Sequence, residues 1–314
     1  MTDSGPLVSI GIPTYNRSQQ LKRAIDSAFA QDYPNIEVVI SDNASTDETQ
    51  SLCEELCQRD SRVRYIRQSI NRGIATNHIE AFKHSRGEYY MVLGDDDWID
   101  PSYVSACLHV LLTEPEFAVV CGKPFLYQSG RPFHEGGVTT LLQDSPSKRV
   151  LAYYRDVFDN APFYGISRRA LLSTVPPMRD TFAGDWFYIA SLAFLGKIKT
   201  VETTSVYKSV GAGASASVES IVQTLALPTF QARHTVLNVI LYACKDIAWA
   251  SPVYRSTGVP GRLFLSYRVG LVLSRKYHLH RVVFYRGRML ITFVRERLRL
   301  SNAEHSSRST RSRL

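Results

Sequence analysis

The amino-acid sequence predicts an α/β fold in which helices flank a mostly parallel sheet, with a helical extension at the C-terminus. Over about the first hundred residues, short apolar runs typical of strands alternate four times with segments of helical periodicity. Such alternation favours parallel strands joined by right-handed crossovers. Polar loops follow three of these strands, and ligands bind beyond the carboxyl ends of parallel strands.

Apolar runs give the predicted extended segments. These are Leu7–Thr14, Ile36–Ile40, Val63–Ile66, Tyr89–Leu93, Phe117–Tyr127 and Ile198–Val210. Helical spacing gives the predicted helices. These cover Gln19–Gln31, a segment after Ser45 or Thr46, Ile74–Ser85, a segment from Pro101, Lys148–Phe158, Ala183–Leu195, Glu219–Trp249 and Arg262–Leu300. Ser18 is expected to cap the first helix, and Asp47 and Glu48 are expected in the first turn of the second. Residues 129–147 are predicted to form a loop.

The fourth predicted strand ends in three consecutive carboxylates, Asp95, Asp96 and Asp97. Like charges this close raise one another's pKa unless a cation lies between them. A divalent metal that also contacts a phosphate-bearing ligand is a natural cation for such a group. The alternative is an acidic surface turn that caps the next helix.

Three polar loops are predicted to meet at one edge of the sheet, namely Pro13–Arg17, Asp42–Ser45 and Gly94–Trp98. The glycine-rich fingerprint of dinucleotide sites and the P-loop are both absent from the sequence. A nucleotide at this edge would therefore be bound through other contacts.

These loops resemble those of the bacterial family 2 glycosyltransferases of the GT-A fold. The resemblance covers roughly residues 5–210 and rests on five segments in a fixed order. They are Val8–Arg17, Val38–Asp47, Asn71–Gly73, Gly87–Tyr89 and Leu93–Asp97. Each segment alone is a weak signal, whereas their joint occurrence is specific.

The resemblance implies a nucleotide-sugar donor and a divalent metal, Mg²⁺ or Mn²⁺. Donor contacts are implied for Pro13, Tyr15, Arg17, Asp42, Asn71 and Gly73. A carboxylate at Asp42 suits the N–H of uracil or thymine, which favours a UDP or dTDP sugar. The alternatives are an ordinary loop aromatic at Tyr15 and a turn acid at Asp42.

The resemblance places the Asp-x-Asp element on the ribose and on the metal-bridged diphosphate. Asp95 is expected on the ribose, with Asp96 or Asp97 on the metal. The register stays open because many relatives carry an acid where this chain has Gly94. A donor contact by Asp96 is therefore also expected.

Asp185 matches the acid on the acceptor side of the family's site, and we expect it to be the catalytic base. Inverting transfer requires one carboxylate to take the proton of the acceptor hydroxyl. The alternative role is an N-cap for the helix that starts at Trp186, and the two roles are compatible. Trp186 and Tyr164 are candidates for stacking on the acceptor sugar, although such aromatics more often belong to the core.

The chain departs from the family pattern in two loops. Thr76 stands where relatives often carry an arginine, and residues 207–213 lack the histidine that some relatives use near the diphosphate. Lys208 is an alternative phosphate contact, and the glycines that follow it suggest a mobile lid.

The basic charge is concentrated at the C-terminus. Residues 262–314 hold 13 Lys/Arg and 2 Asp/Glu, a net +11, so the formal +8 of the chain leaves a net −3 for the remainder. In residues 262–300 we expect a peripheral contact with an anionic membrane, with Arg281, Arg288, Arg295 and Arg299 on one helical face. The alternative is a helix packed on the preceding domain. No nucleic-acid-binding module is evident, so no nucleic-acid partner is expected.

The sequence thus predicts a catalytic domain in residues 1–215, a helical extension in 216–300 and a disordered tail in 301–314. The expected activity is inverting, metal-dependent sugar transfer to a polyprenyl-linked glycan in surface polysaccharide synthesis, on the cytoplasmic side of the membrane. Met1–Pro6 gives no sign of a signal peptide, and the five cysteines are expected to be reduced. The alternatives are a non-catalytic nucleotide-sugar-binding or scaffold protein, and a soluble enzyme that acts on a free sugar or a protein.

Overall fold

A computed structural model describes residues 5–128, 130–210, 222–223 and 228–277 of the chain. Residues 1–270 group into one compact unit, and residues from 271 onwards group separately. In the second unit, the described residues 271–277 are helical. The predicted domain boundary at 215, the predicted tail 301–314, and the arginine face predicted beyond 277 all lie outside the described residues.

The described strands form two sheets. Their bounds are β1 Val8–Thr14, β2 Ile36–Asp42, β3 Val63–Arg67, β4 Tyr89–Val92, β5 Trp98–Ile99, β6 Phe117–Gln128, β7 Arg131–Glu135, β8 Ser167–Arg168 and β9 Lys197–Ser209. One sheet has the order β3-β2-β1-β4-β8 and the other β5-β9-β6-β7. In the first sheet β1 pairs in parallel with β2 and β4, β2 pairs in parallel with β3, and only β8 is antiparallel. The predicted mostly parallel sheet is therefore confirmed.

Helices follow the strands as expected. Their bounds are α1 Ser18–Phe29, α2 Thr49–Arg59, α3 Ile74–His84, α4 Tyr103–Thr113, α5 Pro146–Asp156, α6 Arg169–Leu172 and α7 Gly184–Leu195. Further helices cover Thr229–Arg233, Thr235–Lys245 and residues 258–270. Strands β1 and β2 are almost entirely buried because helices cover both faces of the sheet.

Two predicted caps are wrong. Ser18 is the first residue of α1 rather than its cap, and its backbone N–H donates to Asp47 Oδ2 at 3.0 Å. Helix α2 begins at Thr49 instead of after Ser45 or Thr46, so Asp47 precedes the helix. The reason is tertiary, because Ser45 and Thr46 are both hydrogen-bonded to Asn16 in the β1–α1 loop: Ser45 Oγ accepts the Asn16 N–H, and the Thr46 N–H donates to Asn16 Oδ1.

The predicted loop over residues 129–147 is also partly wrong, because it contains strand β7, which pairs antiparallel with β6. All five residues of β7 are exposed, so the strand has no apolar alternation to reveal it.

Among the described residues, no single helix combines the length and the apolarity that a membrane span requires. A π-helical turn, Asp246–Ala250, continues the helix Thr235–Lys245, and a 3₁₀-helix, Pro252–Thr257, precedes residue 258. With these turns included, the helical segments Thr235–Ala250 and Pro252–Tyr277 meet that requirement only as a pair, and the pair is bent by 64° at its break.

Candidate active site

The loops after β1, β2 and β4 meet at the carboxyl edge of the first sheet. We call Gly94–Trp98, which carries the three carboxylates, the acidic loop. Thr14 Oγ1 donates to Asp95 Oδ2 at 2.9 Å, which joins the first loop to the acidic loop. The backbone N–H of Asn16 donates to Ser45 Oγ at 2.9 Å, which joins the first loop to the second. The convergence predicted from the alternation of strands and helices is therefore observed.

Arg17 provides a positive charge between two of the three acids. Its Nη1 lies 2.9 Å from Asp95 Oδ1 and 2.8 Å from Asp96 Oδ2. The Arg17 side chain is about one-quarter exposed, and Asp95 is almost buried, so water screens this pairing only in part. The acidic loop thus holds a cation supplied by the chain itself.

Burial disfavours the charged forms of the two outer acids. It raises the pKa of Asp95 to about 6, with the Asp96 charge adding to the shift and Arg17 opposing it. It raises the pKa of Asp97 to about 7, again with a contribution from Asp96. Asp97 accepts hydrogen bonds of 2.7 Å from Tyr164 Oη and from the backbone N–H of Ser209. The charged forms of Asp95 and Asp97 are therefore disfavoured where no cation is bound beside them.

A cavity of about 720 Å³ opens beside this loop. Its volume falls within the roughly 300–1,000 Å³ of typical small-molecule sites. Seven of the candidate residues line it, namely Arg17, Asp96, Asp97, Tyr164, Asp185, Trp186 and Lys208. Asp95 is not part of the lining. It accepts hydrogen bonds from Thr14 and Arg17.

Asp185 lies in the first turn of α7, next to the left-handed residue Ala183. Asn160 Nδ2 donates to Asp185 Oδ2 at 2.7 Å, which fixes the orientation of the carboxylate. Burial raises the pKa of Asp185, while Asn160 and the charge of Lys208 oppose the rise. A half-buried carboxylate with a raised pKa on a cavity wall has the properties of a general base.

Two further cavity residues have defined partners. The Lys208 ammonium lies over the Tyr164 ring, 5.0 Å from the ring centroid. The Tyr164 hydroxyl donates a hydrogen bond to Asp97. Tyr164 is thus tied to the acidic loop through its polar end. Trp186 follows Asp185 in α7 and lines the same cavity.

The other predicted donor contacts lie along the sheet edge outside the cavity lining. Asp42 is buried. Its Oδ1 accepts a hydrogen bond of 2.8 Å from the Ser45 N–H, and its Oδ2 accepts one of 2.7 Å from the Tyr65 hydroxyl. Tyr15 is 43 % exposed, and Pro13 is half-buried.

Asn71 and Gly73 belong to the loop before α3. Asn71 Oδ1 accepts hydrogen bonds from Asn43 Nδ2 at 2.8 Å and from the Gly73 N–H at 2.9 Å. Gly73 has φ +87°, a conformation that only glycine adopts without strain.

The sequence did not reveal several residues of the site. Asn160, with φ +50°, orients Asp185 from 25 positions away. Asp180 lines the cavity and accepts the Ala75 N–H at 2.8 Å, at the start of α3. Arg23 lies 3.8 Å over the Trp98 ring and donates to the backbone carbonyl of Asp96. No local motif marks these residues, because each of them contacts a residue that is distant in the sequence.

The donor set of the acidic loop fits a hard divalent cation. Mg²⁺ and Mn²⁺ prefer carboxylate oxygens, and Mg²⁺ is usually held by one or two carboxylates together with substrate phosphates. Asp96 and Asp97 supply two carboxylates on the cavity wall. No cluster of three or more His, Cys, Asp and Glu side chains suited to a metal occurs in the described part of the chain. The remaining ligands would therefore come from a phosphate-bearing substrate and water.

We expect Arg17→Met to destabilise the metal-free protein by roughly 2 kcal/mol, because Asp95 and Asp96 would lose the cation between them. Urea denaturation in EDTA measures this loss, and Mn²⁺ with UDP should recover part of it. Arg59→Met is the matched control, because Arg59 pairs with Glu55 on the exposed surface of α2. Equal stabilities of the two variants would show that Arg17 does not neutralise the acidic loop.

We also expect the stability of the metal-free protein to fall between about pH 4 and pH 7, on the order of 7 kcal/mol in total. The carboxyl groups of Asp95 and Asp97 titrate at about 6 and about 7 in the folded state, above the ordinary value of 3.8. In this window the folded state binds more protons than the unfolded state, so raising the pH favours unfolding. Denaturation curves across the window measure the slope, and Asp97→Asn should flatten it. An unchanged slope in that variant would contradict the account.

Comparison with known proteins identifies the family and the fold. The sequence profile of the family described as Glycosyl transferase family 2 matches residues 9–175. A GalNAc(5)-diNAcBac-PP-undecaprenol beta-1,3-glucosyltransferase of Campylobacter jejuni is 30 % identical over 173 residues, which are 53 % of this chain and 53 % of that protein. The chain thus spans about half the length of this curated relative.

Solved structures share the fold at low sequence identity. Staphylococcus aureus TarS 1–349, in complex with UDP-GlcNAc, has a TM-score of 0.55 and 17 % identity, over 90 % of this chain and 92 % of that one. The mannosyltransferase PcManGT of Pyrobaculum calidifontis, in complex with GDP-Man and Mn²⁺, has a TM-score of 0.52 and 18 % identity, over 86 % of each chain. The fold is that of the GT-A transferases, and the chain belongs to glycosyltransferase family 2.

Proposed function

We propose that this chain is an inverting, metal-dependent glycosyltransferase. It moves a sugar from a nucleotide-sugar donor to a hydroxyl group of a lipid-linked glycan during bacterial surface polysaccharide synthesis. The observation that carries this proposal is the shared cavity. It is lined by the acids Asp96 and Asp97, by the cation Arg17 and by Asp185, the proposed base.

The donor diphosphate would lie against the acidic loop. Asp96 and Asp97 would hold Mg²⁺ or Mn²⁺, which when bound neutralises the charge that develops on the departing nucleoside diphosphate. Asp95 would accept hydrogen bonds from the ribose hydroxyls. Arg17 and Lys208 line the same cavity and would add positive charge for the phosphates.

The acceptor would enter on the side of Asp185. The Asp185 carboxylate would take the proton of the acceptor hydroxyl as that oxygen attacks the anomeric carbon. At the same time the bond from the anomeric carbon to the diphosphate oxygen would break. Asn160 orients this carboxylate through the 2.7 Å hydrogen bond. Trp186 and Tyr164 offer aromatic surface for the sugar ring. One base is sufficient, because the leaving group needs no proton from the chain.

The base of the donor is expected to be uracil or thymine, which Asp42, Pro13 and Tyr15 would contact, with Asn71 and Gly73 near the ribose. A UDP-sugar is supported by the TarS complexes with UDP and UDP-GlcNAc, which have this fold. A lipid-linked acceptor is supported by the Campylobacter relative, whose name gives an undecaprenol diphosphate glycan as substrate. The chain would then work at the inner face of the cytoplasmic membrane, through the basic residues 262–300.

A thermal-shift panel of nucleotide sugars, with and without Mn²⁺, tests this proposal. A UDP- or dTDP-sugar should raise the Tm only when Mn²⁺ is present, and the same donor should be hydrolysed slowly in the absence of an acceptor. Binding without any hydrolysis or transfer would instead favour a non-catalytic nucleotide-sugar-binding protein. No response to any donor would overturn the proposal.

A further inference from the structure

Exposed apolar side chains are concentrated in the C-terminal helices of the first unit. Of the 15 large hydrophobic residues that are exposed in the described part of the chain, seven fall between positions 237 and 267. They are Leu237, Leu241, Trp249, Val259, Leu263, Phe264 and Tyr267. Single exposed apolar residues are ordinary on protein surfaces, whereas neighbouring ones on one helix face form a patch of the kind that marks a contact surface.

The helix over residues 258–270 is apolar on two opposite faces. Leu265 and Val269 are buried and form its inner face. Val259, Leu263 and Tyr267 recur every fourth residue, so they form one stripe on the other side, and Phe264 lies beside it. We call these four residues the outer stripe. Phe264 is 62 % and Tyr267 63 % exposed, so their rings are largely in water.

The segment of the chain that carries the outer stripe is basic. Residues 228–270 contain five Lys/Arg and one acid, Asp246, a net +4. Asp246 is buried and lies 3.6 Å from Arg179, so it contributes no exposed negative charge. Lys245, Arg255 and Arg268 are exposed, and the Arg268 guanidinium lies 5.7 Å over the Phe264 ring.

We infer that the outer stripe is a membrane-contact surface that inserts its apolar side chains into the interface of an anionic bilayer, with Arg255 and Arg268 at the lipid headgroups. Aromatic residues favour the membrane–water interface, where an apolar ring and a polar group are both accommodated. Exposed cations beside an apolar helix face are typical of helices that lie in this interface. The inference deepens the proposed function and rests on it for its purpose, since a lipid-linked acceptor is presented at a bilayer.

A second copy of the chain is a poorer occupant on grounds of charge. A symmetric dimer would place the outer stripe against itself, and the surrounding cations would face each other. Juxtaposed like charges oppose association, whereas phosphatidylglycerol headgroups would neutralise them.

Co-sedimentation of the full chain with lipid vesicles tests the inference. The vesicles contain phosphatidylcholine alone or mixed with phosphatidylglycerol. The test variant is Leu263→Ser/Phe264→Ser/Tyr267→Ser, which removes most of the outer stripe without touching the buried face. The matched control is Leu112→Ser, at a side chain that is 55 % exposed on α4. Melting curves confirm that each variant is folded.

The wild-type chain should bind the phosphatidylglycerol vesicles and not those of phosphatidylcholine alone. The triple variant should partition about tenfold more weakly or worse, and Leu112→Ser should bind like the wild type. Arg268→Glu should also weaken binding to the phosphatidylglycerol vesicles, because it removes a cation at the lipid headgroups. Wild-type binding by the triple variant would overturn the inference, and so would the absence of wild-type binding. A lipid-free dimer that the triple variant dissociates, with no vesicle binding, would assign the surface to a second copy.

The same preparations separate this inference from the proposed function. A retained UDP-dependent thermal shift without vesicle binding would overturn the membrane surface and leave the nucleotide site intact. Vesicle binding without any response to nucleotide sugars would support the membrane surface and overturn the proposed function.

Discussion

Replacing Asp185 with asparagine should lower the rate of sugar transfer by about 10³-fold, within the roughly 10²–10⁴ that a positioned general base contributes. The amide retains the shape of the side chain and can still bond to Asn160, which contacts the carboxylate at 2.7 Å. It cannot accept the proton of the acceptor hydroxyl. Affinity for the donor should change little, because Asp185 is not part of the acidic loop. Steady-state kinetics with titration of UDP and Mn²⁺ measure both quantities.

Asp156→Asn is the control for this experiment, since Asp156 is an exposed acid at the end of α5 that pairs with its neighbour Arg155. It should transfer sugar at the wild-type rate. Near-normal turnover by Asp185→Asn would remove Asp185 from the role of base. A parallel loss of donor binding would show that the residue supports the fold of the cavity instead.

Replacing Asp96 with asparagine should weaken Mn²⁺-dependent UDP binding by at least about a hundredfold. Altering a group that only supports a metal ligand already costs about 10–100-fold, and Asp96 is itself a proposed ligand on the cavity wall. The variant should remain folded, because Asp96 is partly exposed and Arg17 keeps its contact with Asp95 at 2.9 Å. Calorimetric titration of UDP with and without Mn²⁺ measures the loss.

The comparison of Asp96→Asn with Asp97→Asn resolves the register of the acidic loop. Asp97 also binds Tyr164 and the Ser209 N–H, so its replacement should affect folding stability as well as metal binding. Asp26→Asn serves as the control, since Asp26 is exposed and pairs with Lys22 on α1. Metal-dependent UDP binding that persists in both acidic-loop variants would exclude this loop as the metal site.

Four of the five strands of the first sheet could be predicted from the sequence because their signals are local. β1, β2 and β4 are short runs rich in apolar residues, and the helices between them have clear apolar faces, as Leu21, Ala24, Ile25 and Ala28 show in α1. The long strands β6 and β9 of the second sheet were also predicted as extended segments. The strands β5 and β7 of the second sheet and β8 of the first could not be predicted. β5 and β8 are two residues long, and all residues of β7 are exposed, so none of these three strands carries a periodic pattern.

The candidate site divides in the same way. Asp95, Asp96 and Asp97 follow strand β4, so their positions were predictable from the order of the elements. Asp185 lies in the first turn of α7 and was identified through the family resemblance. The hydrogen bonds of the site were not predictable, because they join distant residues: Arg17 reaches Asp95 across 78 positions, and Tyr164 reaches Asp97 across 67. The cap predicted at Ser18 failed for the same reason, since Asp47 reaches the start of α1 from the following loop. Propensity identifies where a helix begins only when tertiary contacts do not replace the local cap.

The central claim is that Asp96 and Asp97, on the wall shared with Asp185, hold a metal against the donor diphosphate. Anomalous diffraction at the manganese edge, from crystals grown with UDP and Mn²⁺, tests it most directly. The account predicts one manganese peak in coordination contact with Asp96 or Asp97 and with the UDP diphosphate, inside the cavity that Asp185 lines. Manganese or UDP bound at another surface of the protein would contradict it.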